Sequence, residues 1–127
     1  NSVFVPFFAV PDAATTAGSY MLVKSARPAV IPFVPRRKAD GTGYELIILE
    51  DISDTLQGGD KASVATQMNR AIERAVMMAP EQYMWLHRRF KTRPEGQPDR
   101  YKRKKQVTSS ARTLSASDIS DRSSIQQ

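Results

Sequence analysis

Residues 3–34, VFVPFFAVPDAATTAGSYMLVKSARPAVIPFV, decide the fold class of this chain. The apolar runs at residues 3–8 and 29–34 are rich in β-branched and aromatic side chains, which favour strands. The residues between these runs follow helical spacing and predict a helix from about 13 to 26, which Pro28 ends. A helix between two strands predicts a right-handed βαβ unit, and therefore an α/β fold.

The following segment predicts a β-hairpin. A basic run, Arg-Arg-Lys at residues 36–38, precedes Asp-Gly-Thr-Gly at residues 40–43, which is typical of a tight turn. Residues 44–50 then predict the returning strand. Residues 55–60 contain two adjacent glycines and predict a loop ahead of the longest helix.

The longest helix is predicted ahead of Pro80, because the apolar positions between residues 64 and 79 keep the helical period. Asn69 and Glu73 lie next to this apolar face, so an inward-facing polar pair there needs hydrogen-bond partners. Pro80 ends the helix and begins a second one. Three large side chains recur on one face of that second helix: Tyr83, Leu86 and Phe90.

The positive charge is confined to one short stretch of a chain of 127 residues with a formal net charge of +6. Residues 87–105 hold 9 basic and 2 acidic side chains, whereas residues 1–86 hold 8 and 9. This distribution predicts a local anionic partner and argues against a generally basic domain. Residues 106–127 hold 2 of each charge, are rich in Ser, Thr and Gln, and predict disorder.

Composition excludes several classes of site. The chain has no cysteine, so it has no disulfide, thiolate metal site or cysteine nucleophile. The longest apolar runs are much shorter than the roughly 20 residues of a membrane-spanning helix. Because the first eight residues already have a strand pattern without a preceding turn, we expect the chain to be a piece of a longer protein.

His87 is the only histidine, and we expect it on a helix surface in a packing or hydrogen-bonding role. A catalytic histidine needs a carboxylate or carbonyl partner, whereas Arg88, Arg89 and Lys91 disfavour a charged imidazole. No second histidine and no acidic cluster with ligand spacing accompanies it, so no metal is predicted. Arg88 and Arg89 lie between Trp85 and Phe90 in the sequence. Two guanidinium groups beside aromatic rings predict a site that binds phosphate in a bidentate way. For residues 102–105, a solvated tail and a membrane-surface role stay equally open.

Three segments share the pattern of one known family. Residues 3–16 are similar to the segment VPFFG-x-PA-x-T, with Ala9 where that family usually has glycine. Residues 30–44 match its next strand and hairpin, and residues 80–94, PEQYMWLHRRFKTRP, match its closing signature together with Asn69. Over about residues 1–95, the chain thus resembles the bacterial lipid A biosynthesis acyltransferases of the lysophospholipid acyltransferase superfamily.

The resemblance implies an enzyme on the cytoplasmic face of the bacterial inner membrane, where it meets anionic lipids. It moves a lauroyl or myristoyl chain from an acyl carrier protein thioester to a hydroxyl of a lipid A precursor, without a metal or organic cofactor. Residues 1–95 correspond to the C-terminal part of a sheet flanked by helices, and residues 96–127 to a basic, then Ser/Thr-rich, disordered tail. The family's base is a histidine followed five positions later by a carboxylate. Here Thr92 stands five positions after His87, so no catalytic residue is predicted in this chain, and we expect the chain alone to be inactive.

The basic residues of the matching segments are expected to bind phosphates of the substrate or of the membrane. These residues are Arg36, Arg37, Arg88, Arg89, Lys91 and Arg93. Two alternatives stay open, a small nucleic-acid-binding module and a module that tethers a partner to membranes. Nucleic acid is not the predicted partner, because residues 1–86 are slightly acidic and no helix-turn-helix, zinc or stacking pattern is present.

Overall fold

Two small antiparallel sheets pack on helices in the computed structural model, which describes residues 2–102. Strand β1 (Ser2–Phe7) pairs with β2 (Val10–Thr16), and β3 (Phe33–Arg37) pairs with β4 (Tyr44–Ile48). The α/β class is confirmed. The predicted βαβ unit is wrong, because within the described residues β1 and β3 each pair with the strand that follows them.

The first hairpin, β1–β2, takes the place of the helix start expected at residue 13. Val3 lies opposite Thr15 and Val5 opposite Ala13, and this face of the hairpin packs on the longest helix. Both residues of the second pair are buried, as is Thr15. Tertiary burial of this face therefore outweighs the local helical preference of the alanines. Helix α1 (Gly18–Ala26) begins only after the strand has ended.

The turn of the first hairpin is strained at one residue. Phe8 has a φ of 49°, in the left-handed region that glycine adopts more easily. Its backbone N–H donates to the carboxylate of Glu73 at 2.6 Å, which holds the turn against the longest helix. The strand register also shifts between Val5 and Phe7, where Pro6 cannot donate a ladder hydrogen bond.

The second hairpin, β3–β4, confirms the predicted turn at residues 40–43. Gly41 has a φ of 75° there, which favours glycine. The preceding strand is shorter and more exposed than expected: residues 28–32 are irregular, and only Val34 of the predicted buried run is buried. Backbone bonds still tie this irregular segment to the chain beyond β4, from Leu49 to Pro32 at 2.9 Å and from Ile52 to Val30 at 3.0 Å.

The longest helix, α3 (Lys61–Met78), is confirmed and forms the centre of the fold. Asp60 caps it, because its carboxylate accepts the N–H of Ser63 at 2.7 Å. A short helix, α2 (Ser53–Leu56), occupies the start of the predicted loop. The buried residues packed between α1, α2 and α3 are apolar: Val23, Ile52, Leu56, Val64 and Ala71.

The second helix expected after Pro80 is wrong. Only one 3₁₀ turn, Pro80–Gln82, forms, and turns follow it to residue 102. Leu86 does not join an apolar helix face, because it is 94 % exposed. The expected disorder of residues 106–127 lies outside the described residues.

Within residues 2–102, no helix combines the length and the hydropathy needed to cross a membrane.

Candidate functional site

Asn69 is the most deeply buried polar residue of α3 among the described residues, with 0 % of its surface exposed. Its Nδ2 donates to the carbonyl oxygen of Pro6 at 2.8 Å and to Oγ1 of Thr15 at 3.0 Å. The prediction that an inward-facing asparagine needs partners is confirmed. Both acceptors belong to the first hairpin, so Asn69 joins the central helix to both of its strands.

Arg89 completes the same network from the other side. Its Nη1 donates to the carbonyl oxygen of Ala14, and its Nη2 lies 3.3 Å from Oγ1 of Thr15 and 3.5 Å from Oδ1 of Asn69. The guanidinium carbon also lies 5.0 Å from the centroid of the Phe7 ring. The guanidinium group of Arg89 is therefore engaged with the protein itself. We call these side chains, Asn69, Thr15 and Arg89, the Asn69 network.

Arg93 makes a second bond between residues 83–101, here called the closing segment, and the first hairpin. Its Nη1 pairs with the carboxylate of Asp12, and its Nη2 donates to Oε1 of Gln97 at 2.8 Å. The Arg93 side chain is only 8 % exposed, so the pair is largely shielded from solvent. Arg100 adds a longer contact to the same carboxylate at 3.2 Å. Nothing in the residues around Asp12 indicates this role.

The hydrogen bond from Arg93 lowers the pKa of Asp12, with a smaller lowering contribution from Arg100, whereas desolvation opposes both. A carboxyl whose pKa falls on folding stabilises the folded state above its unfolded pKa, and this stabilisation is lost as the pH falls through its folded-state pKa. We therefore expect Asp12→Asn to lower the urea midpoint at pH 7. The difference from the parent chain should narrow below about pH 4.

Glu95→Gln is the matched control for that titration, because Glu95 is exposed and lies in the same closing segment. Its urea midpoint should equal that of the parent chain at pH 7 and below about pH 4. If the urea midpoints of Asp12→Asn and the parent chain differ by the same amount at neutral and acidic pH, the ionised Asp12 carboxylate is not stabilised by Arg93.

The remaining predicted phosphate-binding residues are distributed over two surfaces. Arg36 pairs with Glu45 across the second hairpin at 2.6 Å, while Arg37 lies over the ring of Tyr44, 5.9 Å from its centroid. Arg88 of the closing segment lies 5.3 Å from the centroid of the Tyr101 ring. The backbone N–H of Arg37 donates to Oε1 of Gln82 at 2.8 Å, which links β3 to the 3₁₀ turn.

Three of the six are exposed: Arg37, Arg88 and Lys91. Within residues 2–102 the side chains of these three form no hydrogen bond or ion pair, whereas those of Arg36, Arg89 and Arg93 pair with other residues.

His87 is exposed and lies in a turn rather than on the expected helix. Its backbone N–H donates to Met84 at 3.0 Å, and its carbonyl accepts the N–H of Arg89 at 2.7 Å. No carboxylate orients its imidazole within residues 2–102, and this range contains no cluster of three metal-ligating side chains.

An apolar groove of about 510 Å³ runs between α3 and residues 30–35. Its floor is formed by α3 side chains, and Gln82 and Tyr83 lie along it as well. A groove of this size lies within the range of small-molecule sites, roughly 300 to 1,000 Å³. The apolar side chains of α3 that line it are Met68, Ala71, Ile72, Ala75 and Val76.

Comparisons with known proteins agree on one family. Residues 1–92 match the family described as bacterial lipid A biosynthesis acyltransferase. The chain is similar to the lipid A biosynthesis lauroyltransferase of Escherichia coli K12, at 58 % identity over 80 % of this chain and 33 % of that protein. It is 53 % identical to a lipid A biosynthesis acyltransferase of Haemophilus influenzae, over 75 % of this chain and 30 % of that protein.

The lipid A biosynthesis palmitoleoyltransferase of Escherichia coli K12 is 45 % identical over 80 % of this chain and 32 % of its own length. The chain therefore spans about a third of the length of the curated relatives that it matches. No solved structure matches it significantly.

Proposed function

This chain belongs to the bacterial lipid A biosynthesis acyltransferase family, and we propose that the protein containing it transfers a fatty acyl chain to a hydroxyl of a lipid A precursor. The match of residues 1–92 to the family carries this proposal. We further propose an acyl carrier protein thioester as the donor, and the cytoplasmic face of the bacterial inner membrane as the place of reaction.

The role proposed for this part of the protein is to bind phosphate and to hold hydrocarbon. Arg37, Arg88 and Lys91 are exposed and positively charged, so they are suited to phosphates of the acceptor or of anionic lipids. The apolar groove beside α3 offers a dry surface to an acyl chain, since almost every residue that lines it is apolar. Arg36, Arg89 and Arg93 support these surfaces through their internal bonds.

The general base of the reaction is expected outside this chain. A base must be oriented by a partner, and the exposed His87 has no carboxylate beside it within the described residues. The 127-residue chain by itself should therefore give only background acyl transfer when it is mixed with acyl carrier protein thioesters and lipid A precursor. The full-length protein should give turnover under the same conditions, measured as the mass increase of the precursor.

Four outcomes decide this proposal. Turnover by the full-length protein with acyl carrier protein thioesters supports it in full, and turnover only with coenzyme A thioesters corrects the donor. A folded full-length protein that transfers no acyl group from either donor would refute the activity. Turnover by the 127-residue chain that is abolished by His87→Ala would instead show that the base lies here.

A further inference from the structure

Four apolar side chains form an exposed patch where the closing segment meets the turn of the first hairpin. Leu86 is 94 % exposed, Met84 72 % and Trp85 61 %. Phe8 joins them, because its ring centroid lies 6.4 Å from that of Trp85. We call these four residues the Trp85 patch. Contiguous exposed apolar surface of this kind marks an interaction site.

The indole ring at the centre of the patch is held in place by the protein. Its centroid lies 4.8 Å from that of the Tyr83 ring in an edge-on arrangement. The Trp85 Nε1–H donates to the carbonyl oxygen of Pro80 at 2.7 Å, although most of the ring is exposed. The exposed part of the ring therefore presents an apolar surface whose only polar hydrogen is already bonded.

Backbone donors of the same turn are also bonded within it. The N–H of Trp85 donates to Tyr83 at 2.8 Å, and the N–H of His87 donates to Met84 at 3.0 Å. These two N–H groups therefore keep a hydrogen-bond partner where water is excluded.

The charges next to the patch complement an anionic lipid surface. Arg88 and Lys91 are exposed on the same closing segment, and residues 87–105 carry 9 basic and 2 acidic side chains in all. Aromatic rings beside cations are typical of the boundary between lipid head groups and hydrocarbon. We propose that the Trp85 patch inserts into the interfacial layer of an anionic bilayer while the neighbouring cations bind lipid phosphates.

This inference rests on the membrane partner of the proposed function and assigns the side chains that enter the lipid. Trp85 is the only tryptophan of the 127 residues, so the tryptophan fluorescence of the chain, excited selectively over its four tyrosines, reports on this patch alone. On addition of phosphatidylethanolamine–phosphatidylglycerol vesicles, its emission should shift to shorter wavelength. Lipids brominated on their acyl chains should quench it, and neutral phosphatidylcholine vesicles should bind more weakly.

Leu86→Asp is expected to weaken vesicle binding about tenfold or more, because it puts a charge where the exposed leucine would enter the lipid. Met84→Asp should act in the same direction and gives a second, independent variant. Leu46→Asp is the matched control, since Leu46 is 60 % exposed on β4 outside the patch, and its affinity should equal that of the parent. Circular dichroism of each variant confirms that the chain remains folded.

The inference is overturned if the folded chain binds anionic vesicles without a shift or quenching of Trp85, or if Leu46→Asp weakens binding as much as Leu86→Asp. It also falls if the folded chain binds no vesicles. Acyl transfer by the full-length protein in detergent solution tests the enzymatic proposal separately, because no bilayer is then required. A Leu86→Asp enzyme that keeps its activity in detergent but loses it on vesicles would agree with both proposals.

Discussion

Replacement of Asn69 by leucine is expected to lower the free energy of unfolding of the chain by about 3 to 5 kcal/mol. The substitution keeps the number and branching of the side-chain heavy atoms but removes the donor to Pro6 and Thr15 and the acceptor for Arg89. Among the partners left behind Thr15 is buried, and an unsatisfied buried polar group costs about 1 to 3 kcal/mol. Urea denaturation followed by circular dichroism measures the loss.

Arg70→Leu provides the control, because Arg70 is the next residue of α3 and is exposed. Its unfolding free energy should stay within about 0.5 kcal/mol of the parent value. Asn69→Asp keeps an acceptor for Arg89 but loses the Nδ2 donor, so it should also destabilise the chain. An Asn69→Leu chain as stable as Arg70→Leu would mean that the two strands of the first hairpin do not depend on α3 for their polar contacts.

The second large effect separates two adjacent arginines. Arg89→Ala should lower the free energy of unfolding by about 2 to 4 kcal/mol, because it removes charge-assisted bonds to Ala14 and to the Asn69 network. Arg88 is exposed and contacts the ring of Tyr101, so Arg88→Ala should leave stability nearly unchanged. In the full-length enzyme, Arg88→Ala should instead raise KM about tenfold or more if its guanidinium binds substrate phosphate.

Both arginine variants should impair transfer more than His87→Ala, whose imidazole has no orienting partner among the described residues. Thermal melts on the same variants distinguish the two causes, and Arg89→Lys shows whether a single charge can replace the bidentate guanidinium. Loss of stability in Arg88→Ala, or a raised KM in a fully stable Arg89→Ala enzyme, would contradict this division of roles. A His87→Ala enzyme with strongly reduced kcat would restore the histidine as a catalytic candidate.

Elements with a strong local signal were predictable from the sequence. α3 has a regular apolar period, an acidic cap at Asp60 and a proline just beyond its end, and each of these signals acts within a few residues. The turn of the second hairpin likewise depends on local residues, Gly41 and Gly43, whose φ angles are positive. Strand β2 could not be found in this way, because its alanines favour a helix locally and adopt a strand only by burial against α3.

For the candidate site, the sequence indicates which side chains require hydrogen bonds but not which residues supply them. Asn69 and Glu73 lie beside the apolar face of α3, so hydrogen bonds to them could be expected from spacing alone. Their partners, at Pro6 and Phe8, lie more than 60 residues earlier in the chain. The sequence predicted a helix for much of the closing segment, and a helical pattern does not indicate that Arg93 bonds to Asp12, 81 residues away. Long-range pairing of this kind leaves no periodic trace in one sequence.

The contacts of the closing segment with the first hairpin have a consequence for biosynthesis. Arg89, Arg93 and Arg100 bond to residues that lie between 74 and 88 positions nearer the N-terminus. The ribosome therefore synthesises the first hairpin long before the arginines that bond to it. Contacts between residues so far apart in the sequence slow folding. A nascent chain stopped at a premature codon between Met78 and Arg89 has its central helix and both hairpins but lacks these three arginines, which makes it a natural substrate for chaperones and proteases.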